Sequence, residues 1–157
     1  MATKKPFPQA GFLNHLELLD GSAALVADPA WSPLLVRVLF TSGGAGEPTK
    51  AAGSLIQLLR ARQATLQTSF DTEQVADELR RYQKFAKPGQ PSPHIVQLRQ
   101  QQGAARQAAS LSKQSFIRAA AAFVRDAGIE VPERVALELY VTKWIDANVP
   151  ADFVPAT

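Results

Sequence analysis

Few residues in this chain could do acid–base or covalent chemistry, and their spacing brings none of them together. The 157 residues include no cysteine, which excludes thiol nucleophiles and disulfides. The two histidines, His15 and His94, sit in separate segments, and isolated imidazoles match no metal-ligand spacing. His15, beside Leu16, reads as a packing or surface residue; His94, after Pro93 in a first helical turn, reads as solvated. Glu133 and Glu138 are five residues apart and share no helical face. Glu17 and Asp20 end a helix with no partner to shift either pKa. Gly44–Lys50 has the outline of a phosphate loop without its working parts. Thr49 stands where the second glycine is needed, Ala51 where the magnesium-binding hydroxyl is needed, and Pro48 removes an amide donor. The expectation is a protein that is not an enzyme, with no cofactor and no metal.

What the sequence does carry is a pattern of charge. Residues 79–125 contain no Asp or Glu, but they hold nine cations and eight glutamines. Helices on protein surfaces ordinarily mix both signs, because opposite charges one turn apart support them. A long one-sign segment implies that an external anion supplies the balance. The net charge of +3 conceals this asymmetry: residues 50–118 carry +7, residues 1–49 carry −1 and residues 119–157 carry −3.

The cations differ in how well local acids explain them. Glu73, Asp77 and Glu78 precede Arg80, Arg81 and Lys84 in one helical stretch. That order suits the helix dipole, and Asp77 can reach Arg81 one turn on. Arg99, Arg106 and Lys113 recur every seven residues, so on one helix they drift only about 20° per step. Arg118 and Arg125, also seven apart, fall opposite Phe116 and Phe123. These five are the candidate phosphate contacts. Gln97, Gln100, Gln101, Gln102 and Gln107 surround the first two; arginine and glutamine together donate to phosphate and sugar oxygens without reading sequence. Aromatics are not interleaved among them, so no stacking platform is visible.

The elements that must position these residues are helical. Length predicts one domain, and a 46% apolar content suffices for a core. Proline and glycine divide the chain into an extended arm at 1–9, a loop at 41–47, a break at 87–92 and a C-terminal arm at 148–157. Between them the spacing predicts helices over about 10–20, 48–67, 71–86, 93–127 and 132–147. Asp71 with Gln74 has capping-box spacing. Residues 33–40, opened by Ser32-Pro33, fit a buried helix or a strand; Ser110–Ser112 could interrupt the helix of 93–127. No stretch alternates strictly. The fold class expected is all-α, a compact bundle of five to seven short helices.

The last helix carries apolar residues on two sides, Val135 and Leu139 against Leu137, Tyr140, Val141 and Trp144. Such a helix is central in its own core or half-covered by a partner. Tyr140, Trp144 and Phe153 are therefore the candidate interface residues. No apolar run is long enough for a membrane span and the N-terminus lacks a signal-peptide core, so a cytoplasmic or virion location and no membrane partner are expected. The leading expectation is a non-enzymatic helical subunit of a nucleoprotein assembly, touching RNA or DNA phosphates. The alternative is a self-assembling structural protein, phage- or capsid-associated, whose basic middle meets the acidic C-terminal part of a neighbouring copy. Either way the partner is nucleic acid or an acidic protein surface, and the chain is an oligomer or a subunit of a larger complex.

Overall fold

The computed structural model describes residues 6–19, 25–26, 31–39, 45–46, 50–84 and 93–152. Five helices account for most of them: α1 (Ala10–Leu19), α2 (Pro33–Leu39), α3 (Lys50–Gln83), α4 (Pro93–Ala127) and α5 (Leu137–Asn148). A minimal antiparallel pair, β1 (Leu25–Val26) and β2 (Ala45–Gly46), joins Leu25 to Gly46 and Val26 to Ala45. Residues 45–46, expected as loop, thus form a bridge, but the class is all-α.

One helix is longer than the sequence suggests. α3 passes through residues 67–71 without a break. Asp71 does not cap; its carboxylate accepts from Gln67 Nε2 at 2.8 Å, four residues back. Thr68 and Thr72 donate to the carbonyls of Thr65 and Thr68 at 3.2 and 2.8 Å. These polar side chains bond backward onto the helix that contains them, so none is left to stop it. α4 is likewise one helix, with Ser110–Ser112 inside it. Gly128, at φ +68°, ends it: Ile129 N–H reaches Val124 O at 2.9 Å and Gly128 N–H reaches Arg125 O. This is the left-handed glycine stop that satisfies the last carbonyls.

Residues 33–39 are helix, not strand. Ser32 Oγ accepts from Leu34 N–H at 3.2 Å and donates to Asn148 Oδ1 at 2.6 Å, so one hydroxyl caps α2 and ties it to α5. Pro132 does not open α5. It accepts a single turn from Val135 N–H, Ala136 is extended, and the helix starts at Leu137. The terminal segments are docked where they are described. Phe7 and Gln9 are buried, Val149 is buried, and Asp152 N–H donates to Pro8 O at 2.7 Å.

The chain divides into two compact units, whose boundaries fall inside α3 and α4. One comprises Ala64–Gln114, the second half of α3 and the first part of α4, together with Pro6. Its fully enclosed apolar cluster is Leu79, Ile95 and Leu98. The rest of the stripe along α4 (Gln102, Ala105, Ala109 and Ser112) is half-buried and small or polar. Thr72 Oγ1 reaches across to Ala105 O at 3.4 Å. The other unit comprises Phe7–Gln63 and Ser115–Thr157 and has the larger core. Phe12 meets Trp31 edge-on at 5.4 Å, Phe123 meets Trp144 at 4.9 Å, and Leu55, Leu58 and Leu59 are enclosed. Arg60 and Glu17 pair at 2.7 Å on its surface.

Candidate functional site

In the unit Ala64–Gln114, α4 has one inner stripe at spacings of three and four: Ile95, Leu98, Gln102, Ala105, Ala109 and Ser112. That leaves the remaining circumference to solvent. Arg99, Arg106 and Lys113 are exposed on it. Because α4 is continuous, each seven-residue step advances about 10.5 Å along the axis. The three charges therefore form one line of about 21 Å at a nearly constant bearing. Gln97, Gln100, Gln101, Gln107 and Gln114 are exposed around them. Among the described residues, no carboxylate lies within ion-pairing distance of Arg99, Arg106 or Lys113. All four acids of this unit lie in 71–78, on α3. One is spent locally: Asp77 pairs with Arg80, one residue short of the Arg81 that the sequence favours. Arg81 and Lys84 are exposed and, among the described residues, have no such pair.

Arg118 and Arg125 belong to the other unit. Both are exposed, while Phe116 and Phe123 of the same helix are buried. Arg125 lies 3.6 Å from the carboxylate of Asp126, so its charge is met in part at home. Arg118 has no ion pair among the described residues. The five candidates thus separate into a line of three, a lone arginine and a partnered one.

Asp126 is the most constrained carboxylate described. Its side chain is 7% exposed and accepts a short hydrogen bond from Ser54 Oγ on α3, with Lys50 Nζ at 3.8 Å. The Ser54 bond, then the Lys50 and Arg125 charges, hold its pKa below the ordinary value, against burial, which alone would raise it. The group ties α3 to α4 inside one unit.

The candidate interface residues have different surroundings. Trp144 is 8% exposed and its ring is engaged by Phe123. Val141 and Ile145 are buried on the same side, Leu139 is 50% exposed, and Tyr140 is half-buried. The helix therefore has one buried face, not two. Phe153 lies outside the described residues. Among the described residues no cluster of three His, Cys, Asp or Glu could hold a metal ion, and no helix is long and apolar enough to cross a membrane.

One arrangement escapes sequence reasoning. Tyr82, near the end of α3, and His94, in the first turn of α4, place their rings 4.3 Å apart, with planes at 73°. Eleven intervening positions, with the Pro/Gly break among them, hide the contact; the only signal is that both residues flank the same break. Compared with protein-family models, with curated proteins and with solved structures, the chain matches none.

Proposed function

We propose that this protein is a non-enzymatic helical subunit of a nucleoprotein assembly and that α4 contacts nucleic-acid phosphates without reading sequence. The observation that carries this reading is the line of Arg99, Arg106 and Lys113: exposed, evenly spaced, and without a carboxylate partner among the described residues. A surface of this kind gains counter-charge from a polyanion, and the glutamines around it supply neutral donors to phosphate and sugar oxygens. Arg118 is a secondary contact. Arg125 contributes least, because Asp126 already neutralises part of it.

The test is binding to short duplexes of unrelated sequence across a series of salt concentrations. Affinity should be similar for all sequences and fall steeply with salt. The triple variant R99Q/R106Q/K113Q should reduce the log–log salt slope by about 2.7, since each lost phosphate contact on a duplex is worth about 0.9. Binding that ignores salt, or a slope unchanged in the triple variant, overturns the proposal.

A further inference from the structure

The same unit also carries an exposed ring pair, one member of which is next in sequence to a cation. Tyr82 keeps 47% of its surface open, and His94 is exposed as well. Their edge-to-face contact engages one face of one ring only, so the pair itself leaves most of its π surface uncovered. The Leu79, Ile95 and Leu98 cluster lies within one turn of each ring in sequence and fixes the ends of α3 and α4. Arg81 adjoins Tyr82 in sequence, about 100° round the helix from it, while Lys84, about 200° round, does not share its face. Both are exposed and, among the described residues, neither has a carboxylate within ion-pairing distance. A π surface with adjoining positive charge is what a flexible nucleic-acid strand needs: the ring takes a base and the cation takes a phosphate.

From this we infer that Tyr82 and His94 form a stacking site for an unpaired nucleobase of a single-stranded segment, with Arg81 on a flanking phosphate. The inference rests on the reading of α4 as a phosphate-binding surface and refines it. The α4 line holds backbone whatever its pairing; the ring pair accepts a base only where the strand is unpaired. Because every base presents a π face, the site discriminates single strand from abasic strand, not one sequence from another.

The experiment compares the full-length protein on two labelled oligonucleotides of equal length, one of mixed sequence and one abasic with the same phosphates. The mixed-sequence strand should bind about 5- to 150-fold more tightly, the range that one stacked base supplies. Y82A should erase that preference and Y82F should keep it, with circular dichroism confirming the helices in each. H94A provides a second variant should Y82A disturb the unit, and it should weaken the preference. Equal affinity of the unaltered protein for both strands overturns the stacking site and leaves the phosphate reading standing. Binding to neither overturns both. A base preference that survives Y82A and H94A together places the base elsewhere and overturns this assignment.

Discussion

Asp126 shows how a single residue can be half legible. Its neighbour Arg125 is adjacent in sequence, so that pairing can be foreseen, but the hydroxyl that holds it belongs to Ser54, 72 positions away. No local pattern signals a contact at that range. Its pKa, lowered from 3.8, carries a consequence with a definite sign. The unfolded chain binds a proton at Asp126 before the folded chain does, so folding is favoured above the ordinary value. That contribution fades as pH falls through the lower, folded one. S54A should therefore lower the melting temperature at neutral pH, and its deficit relative to the parent should shrink as pH drops below about 4. Thermal melts of both proteins across that range check it; a deficit independent of pH would show that the hydroxyl acts through packing alone. The exposed cations were easier to read. Arg99, Arg106 and Lys113 need only an unbroken helix to align, and their sequence neighbours include no acid to hide them.

At the scale of elements, glycine and proline marked most helix boundaries, with exceptions. Gly128 stops α4 where expected, and Ser32-Pro33 starts α2. Pro132 and the Asp71–Gln74 pair mislead for different reasons: an Asp caps only if its side chain turns toward free amides, and a Pro merely permits a helix to start. Here Gln67, Thr68 and Thr72 bond within the helix that contains them, and Pro132 closes an isolated turn. Two glycines survive inside the long helices, Gly53 and Gly103, and a methyl group at either would meet nothing within 4 Å. G103A should stabilise the protein by about 0.5–1 kcal/mol through the lost flexibility of the unfolded chain. G128A should destabilise it by at least that much, because Gly128 needs a left-handed backbone. Urea unfolding of the two variants should move the midpoint in opposite directions.

For the whole molecule, the all-α class was legible and its subdivision was not. The boundaries of the two units lie at residues 63–64 and 114–115, inside helices, where neither proline nor a change of composition marks them. The unit Ala64–Gln114 has three enclosed apolar side chains in its cluster and a half-buried stripe of alanine, threonine and glutamine beyond them. Its partner in the chain encloses Phe12, Leu16, Leu35, Leu55, Phe123 and Ile145, among others. Apolar burial sets the cost of opening a region. Amide exchange should therefore be faster through Thr65–Thr72 and Gln101–Ala109 than through Leu55–Leu59 and Phe116–Phe123. Uniform protection along α3 and α4 would contradict that ranking.

The carboxylate-free side of α4 also governs how copies of the chain can meet one another. Two such surfaces brought together would set arginine against arginine, an arrangement that costs free energy in proportion to how well water is excluded. Mutual approach through Arg99, Arg106 and Lys113 is thus self-defeating in the absence of a third body. A strand of phosphates between them reverses the sign, turning a pair of repelling molecules into neighbours on a common thread.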